Sequence, residues 1–225
     1  MIELHHIDCM EYMRGLPDKA YDLAIVDPPY GIGAASMQMG KGVGTDSRTW
    51  TNKAWDNAAP SPEYFTELRR VSTGQIVWGA NYMVEHLASS PCWLIWDKMQ
   101  EFSGAVFEMA WTSFNTPAKA FRMCRAEAYT NQVKIHPTQK PVALYRWLLQ
   151  NYAKPGQKIL DTHLGSGSIA IACDIEGYDL TACEIDADYI AGARKRLADH
   201  QSAPRLFDAP KAEPGTQTNL MDPAA

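Results

Sequence analysis

Between Lys158 and Ala198 the chain alternates in a way that constrains its fold more than any other stretch. Lys158-Ile159-Leu160 predicts a strand, Gly167 to Ile175 a helix, Asp179 to Cys183 a second strand and Asp188 to Ala198 a second helix, all with short connections. Upstream, the pattern predicts a strand from Ile2 to Ile7, a helix from about Cys9 to Leu16, a turn at Pro17-Asp18 and a strand ending at Asp27. Ser61-Pro62-Glu63 reads as the capped start of a helix running to about Val71. Gln75 to Trp78 and Cys92 to Trp96 read as buried strands, with a short helix from Asn81 to Ala88 between them. Ala105 to Phe114 and Ala118 to Met123 read as further strands, and Pro141 to Tyr152 has helical spacing. The expected fold class is α/β, a doubly wound and mostly parallel sheet.

A chain of 225 residues with 46% hydrophobic content can bury one core, so residues 1 to 200 are expected to form one domain. Residues 31 to 58 and 99 to 135 read as inserts, and 201 to 225, punctuated by prolines, as a disordered tail. No apolar run reaches the ~20 residues of a membrane span and the first residues do not resemble a signal peptide, so a cytoplasmic protein without membrane contact is expected. Cys9, Cys92, Cys124, Cys173 and Cys183 are odd in number and contain no Cys-x-x-Cys pair, which points to reduced, mostly buried thiols and to no metal site. The net charge of −5 argues against coating of nucleic acid by bulk electrostatics but leaves room for a local basic face. Lys119, Arg122, Arg125, Lys134, Lys140 and Arg146, against Glu127 alone, form a candidate phosphate-contacting stretch. Lys41, Arg48 and Lys53 add basic charge to the first insert.

The apolar run Leu23 to Val26 ends in Asp27-Pro28-Pro29-Tyr30. In open α/β sheets, ligands bind beyond the carboxyl ends of the strands. There, an acceptor-only carboxylate, a proline-stiffened carbonyl at Pro28 and the Tyr30 ring suit a flat, amine-bearing group.

A second constellation, Asp161-Thr162-His163-Leu164-Gly165-Ser166-Gly167-Ser168, sets a glycine turn between strand and helix, where free N–H groups and the helix dipole favour a ligand. Glu184 ends the next strand, placed to accept from two ribose hydroxyls. Gly165-x-Gly167-x-x-Ala170 with Glu184 also satisfies the dinucleotide pattern, which keeps an NAD enzyme open. Asp161 instead suits the cationic amino-acid end of S-adenosylmethionine. A third constellation, His136-Pro137-Thr138-Gln139-Lys140-Pro141, offers Thr138, Gln139 and Lys140 to the carboxylate end of the same cofactor.

These three constellations, in this order, resemble the permuted group of DNA amino-methyltransferases, in which the catalytic motif precedes the cofactor motif. The resemblance spans residues 4 to 197, and Trp96-Asp97-Lys98 with Glu108-x-Ala110-Trp111 is spaced as in small phage-type members. It implies a Rossmann-like methyltransferase fold with circularly permuted motif order. Asp27, Pro28 and Tyr30 would be catalytic. The cofactor would be held by His136, Thr138, Gln139, Lys140, Asp161, His163, Gly165, Ser166, Gly167, Ser168 and Glu184, with Asp8-Cys9 against its adenine. Lys41, Arg48, Lys53, Lys119, Arg122 and Arg125 would contact double-stranded DNA. The implied reaction is methylation of adenine N6, with cytosine N4 and a catalytically silent DNA-binding module as alternatives, and a homodimer is compatible with it. His163 stands where the family usually has Phe and brings a titratable edge. A cytosine-C5 enzyme would need a nucleophilic cysteine, for which Pro91-Cys92 is the one candidate; its place at the start of an apolar strand favours a structural thiol.

Overall fold

The computed structural model describes residues 1–33, 56–99, 105–128 and 134–203, and all but the side chain of Arg125 within them. Eight strands form one sheet: β1 (Ile2–His6), β2 (Tyr21–Val26), β3 (Ser72–Trp78), β4 (Trp93–Asp97), β5 (Phe107–Thr112), β6 (Lys119–Arg122), β7 (Lys158–Asp161) and β8 (Asp179–Glu184). Their order is β1-β8-β7-β2-β3-β5-β4-β6. Every pairing is parallel except those of β5, which runs against both β3 and β4. Among the described residues the α-helices are α1 (Cys9–Arg14), α2 (Pro62–Val71), α3 (Arg125–Ala128), α4 (Val142–Tyr152), α5 (Ser168–Glu176) and α6 (Ala187–Ser202).

The alternation of side chains along a strand divides the core into two faces. Leu23 and Ile25 of β2, with Ile76 and Trp78 of β3, pack under α4, α5 and α6 through Leu144, Leu148, Ile169, Ile190 and Leu197. Ala24 and Val26, with Val77, pack under α1 and α2 through Met13, Tyr64, Phe65 and Leu68. The sheet is therefore doubly wound. Because β8, β7, β2 and β3 are parallel neighbours, their carboxyl ends bring Glu184, Asp161, Asp27 and Gly79 to one edge, the side on which such sheets take ligands.

Several local expectations are corrected. The stretch expected as a helix from Asn81 to Ala88 is two single 3-10 turns, Ala80–Tyr82 and Val84–His86, broken where Met83 leaves helical geometry at φ −136°. Ser61 stands at the N-cap of α2 without a side-chain bond, so Pro62 in the first turn carries the start of that helix. Helix α6 starts earlier than expected because Asp186 caps it, accepting from Asp188 and Tyr189 N–H, and it continues through Ser202, past the expected onset of the tail. The short helix α3 has no periodic signal in the sequence. All five cysteines are free, and Cys9 and Cys124 are only partly buried. Among the described residues no helix is long and apolar enough to cross a membrane, and no cluster suits a metal ion. Lys41, Arg48 and Lys53, with most of the first insert, residues 100–104 and 129–133, and the tail from 204, lie outside the described residues.

Candidate active site

At the carboxyl edge of the sheet lies a cavity of about 310 Å³ lined by two groups of residues. Asp27, Pro28, Pro29, Tyr30, Asp56, Lys140 and Tyr145 form one group, and His136, Thr138, Gln139, His163, Leu164, Gly165, Ser166, Glu184, Ile185 and Tyr189 the other. The tetrapeptide and the glycine turn, far apart in sequence, thus face one space of a size suited to a small ligand.

The tetrapeptide is fixed from several sides. Asp56 accepts from the N–H groups of Tyr30 (2.6 Å) and Gly31 (3.0 Å), which pins the loop leaving β2. The Tyr30 hydroxyl donates to Asp27 Oδ1 at 2.6 Å, and its ring stacks on Tyr82 at 5.4 Å. Lys140 Nζ donates to Asp27 Oδ2 at 2.5 Å and to Tyr30 Oη at 3.2 Å. Lys140 also pairs with Glu108 of β5 at 3.1 Å, and Glu108 with Lys98 beyond β4 at 2.9 Å. Burial raises the Asp27 carboxyl above the ordinary range despite the pull of Lys140, with Glu108 pushing the same way as burial. Burial would raise Glu108 too, but Lys140 and Lys98 outweigh it and take that carboxyl down to about 2.

Opposite, the turn after β7 is built by left-handed backbone at Gly165 (φ +52°) and Gly167 (φ +74°). Glu184 accepts from Gly165 N–H at 2.8 Å and from Asp186 N–H at 2.9 Å, tying the turn to the end of β8 and leaving a second lone pair on each oxygen. Asp161 lies beneath the turn, accepts from His163 N–H at 2.9 Å, and is raised by burial and neighbouring carboxylates to about 8. His163 is pushed down to about 4 by burial; its Nδ1 meets Thr162 Oγ1 at 2.9 Å, which meets the Tyr64 hydroxyl at 2.6 Å. The imidazole is therefore neutral near pH 7.

Some expected residues stand elsewhere. Gly167 does not open the backbone to a ligand: a Cβ there would lie 2.8 Å from Ala193 Cβ, so its bareness serves the contact of α5 with α6. Ser168 is buried behind the turn beside Ser166, at 3.1 Å between hydroxyls. Asp8 caps α1, accepting from Met10 and Glu11 N–H, and lies outside the cavity lining, as does Cys9, whose sulfur sits 4.0 Å from His163 Nε2 and whose thiol burial raises to about 12. Thr138 Oγ1 meets His136 Nδ1 at 3.1 Å, and Gln139 Oε1 accepts from Ile135 N–H at 3.0 Å. The basic stretch is dispersed: Lys140 is buried, Arg146 pairs with Glu176 at 2.6 Å, Arg122 with Asp97 at 3.4 Å, and Lys119 donates to Asn151 at 2.9 Å. Cys92 is fully buried just before β4 and does not line the cavity, which removes it as a nucleophile there.

Asp56, Tyr82 and Gly79 carry no motif of their own and were not singled out by sequence. Lys98 and Glu108 carry no sequence signal beyond their spacing.

Residues 85–195 match the family model N6_N4_Mtase, DNA methylase. The Type II methyltransferase M.HinfI of Haemophilus influenzae is 25% identical over 252 residues, which cover 88% of this chain and 68% of that one. Among solved structures, the M1.HpyAVI–SAM complex has a TM-score of 0.57 at 18% identity, over 88% of this chain and 99% of that chain. PvuII DNA methyltransferase, cytosine-N4-specific, has a TM-score of 0.59 at 10% identity, over 88% of this chain and 90% of that chain. Both structures share the fold described above. Over residues 85–195, on a sheet whose loops converge in this way, the chain is similar to the DNA methylases of the N6/N4 family.

Proposed function

We propose that this chain is a permuted DNA methyltransferase that transfers a methyl group from S-adenosylmethionine to the N6 amine of adenine in double-stranded DNA. The observation that carries the reading is that Asp27 and Glu184 line one cavity, an amine-holding carboxylate facing a ribose-holding one.

The residues present fit the cofactor. Glu184 keeps lone pairs for ribose hydroxyls, the Gly165-Ser166 turn offers backbone at close range, and buried Asp161, raised to about 8 by itself, would be drawn into its ionised form by an ammonium placed beside it. When bound, the cofactor supplies an electrophilic methyl on a sulfonium. The chain's own residues act on the amine. An exocyclic adenine nitrogen is a weak nucleophile because its lone pair is delocalised into the ring. Acceptance of its hydrogens by Asp27 and the Pro28 carbonyl localises that pair on nitrogen. With that methyl supplied to the nitrogen, the Asp27 carboxylate would take the nitrogen's surplus proton and pass it to solvent. No covalent enzyme intermediate is required.

The target base must leave the duplex, at a cost of a few kcal/mol. Tyr30 offsets part of this, since base–aromatic stacking is worth about 1–3 kcal/mol. Adenine is preferred over cytosine N4 because position 27 is Asp rather than Ser, the residue that the family resemblance links to the cytosine enzymes. The reading is tested by incubating the protein with methyl-labelled cofactor and mixed-sequence duplex DNA. Label is expected in DNA with the wild type and not with Asp27→Ala.

A further inference from the structure

Lys140 belongs to the segment that sequence assigns to the cofactor, yet its ammonium is already fully used. An ammonium has three donor hydrogens. Three acceptors surround Nζ: Asp27 Oδ2 at 2.5 Å, Glu108 Oε2 at 3.1 Å and Tyr30 Oη at 3.2 Å. The side chain is 1% exposed and sits against the faces of Trp78 (5.4 Å) and Tyr30 (5.8 Å). A buried cation with aromatic walls and three acceptors has no hydrogen left for a cofactor carboxylate. Glu108, its second carboxylate, is held on the far oxygen by Lys98 at 2.9 Å, so two cations and two carboxylates alternate from β4 to the end of β2.

We propose that Lys140 is a positioning residue for the Asp27 carboxylate, seated by Glu108 and Lys98, and not a ligand of the cofactor. Resting on the methyltransferase reading for its purpose, the assignment gives the enclosed carboxylate a cation that favours its ionised form and, with the Tyr30 hydroxyl, holds it in one orientation. Removing one partner of a buried ion pair leaves the other uncompensated, and the cheapest response is protonation of the carboxylate. A protonated Asp27 would offer a hydrogen to the amine where it must accept one. Glu108 has a second effect: by sharing Lys140 it keeps the cation from neutralising Asp27 completely, so the carboxylate stays a strong acceptor.

Other groups also face Asp27 and are common to every variant: Tyr30 on its own loop, Asp161 at the end of β7, Tyr64 of α2 and, next to Tyr30, Tyr145 of α4. The two neighbours of Lys140 therefore give opposite signs. Loss of the cation must raise the pH at which Asp27 titrates, and loss of the Glu108 charge must lower it.

The experiment follows the Asp27 carboxyl by carbon-13 NMR on protein labelled at the aspartate carboxyl carbon, with Asp27→Asn to assign the signal, alongside cofactor titration and the pH profile of single-turnover methyl transfer. In Lys140→Met the carboxyl is expected to titrate about 1–3 pH units higher, with cofactor affinity unchanged and the acid limb of transfer moved by the same amount. In Glu108→Gln it is expected to move lower, and in Lys140→Arg to stay near the wild type. Should Lys140→Met fail to fold by thermal melting, the Gln and Arg variants decide. An unmoved Asp27 signal with cofactor affinity reduced roughly tenfold or more would overturn the assignment and make Lys140 a cofactor ligand. A wild type that transfers no methyl would count against the proposed function alone, because the carboxyl titration reads the positioning role without turnover.

Discussion

Gly79 leaves the space that the Tyr30 ring fills: a β-carbon at position 79 would lie 1.9 Å from Tyr30 Cε1 and 2.3 Å from Cζ. Position 79 also has φ +67°, a conformation side chains rarely adopt. The end of β3 is thus bare because the aromatic of the loop after β2 lies across it.

Gly79→Ala should therefore displace the tyrosine and, with it, the hydroxyl that orients Asp27. Transfer is expected to fall by roughly 100-fold or more, the scale of a misplacement of about 1 Å, while cofactor affinity stays near the wild type. Single-turnover rates and cofactor titration check this. A variant with wild-type rates would contradict the contact.

Gly167 faces a different neighbour. A methyl there would press on Ala193 Cβ at 2.8 Å and on its backbone Cα at 3.2 Å, at φ +74°. Gly167→Ala should destabilise the protein by roughly 2–4 kcal/mol, combining backbone strain with overpacking between α5 and α6. Urea unfolding measures it, and an unchanged midpoint would remove the packing role.

His163 gives a signed dependence on pH. Its imidazole is lowered to about 4 in the native protein by burial. An unfolded imidazole titrates near 6.5. Between these values the unfolded chain binds the proton and the native one does not. The contribution of this group is fully present above about pH 6.5 and is lost as pH falls through that window. His163→Phe should remove the loss, so the variant gains on the order of 1–2 kcal/mol over the wild type on going from pH 7 to pH 5. Urea unfolding at the two pH values checks it, and a gap that does not change with pH would refute it.

Much of the architecture was legible because it rests on local patterns. The alternation of Leu23, Ile25 and Ala24, Val26 reports a strand buried on both faces, and the short connections from Lys158 to Ala198 report parallel neighbours. The cavity's two walls could be named from the tetrapeptide and the glycine turn, since both are contiguous and carry their chemistry within a few residues. The pairing of Lys140 with Asp27 was not legible because the two lie far apart in sequence, at a separation of 113 residues. No local pattern encodes such a pairing. Glu108 was equally hidden: it reaches the site only because β5 runs antiparallel between β3 and β4, a register that depends on the whole sheet. Gly79 and Asp56 act on Tyr30 across loops, and a lone glycine or aspartate announces nothing by itself.

The central claim concerns which atom receives the methyl group, and nucleoside analysis by mass spectrometry tests it most directly. Duplex DNA of mixed sequence would be incubated with the protein and S-adenosylmethionine, digested and compared with DNA treated with Asp27→Ala. The account predicts N6-methyldeoxyadenosine from the wild type and none from the variant, with cofactor affinity preserved in both. N4-methyldeoxycytidine alone, or no methylated base from folded wild-type protein that binds the cofactor, would contradict it.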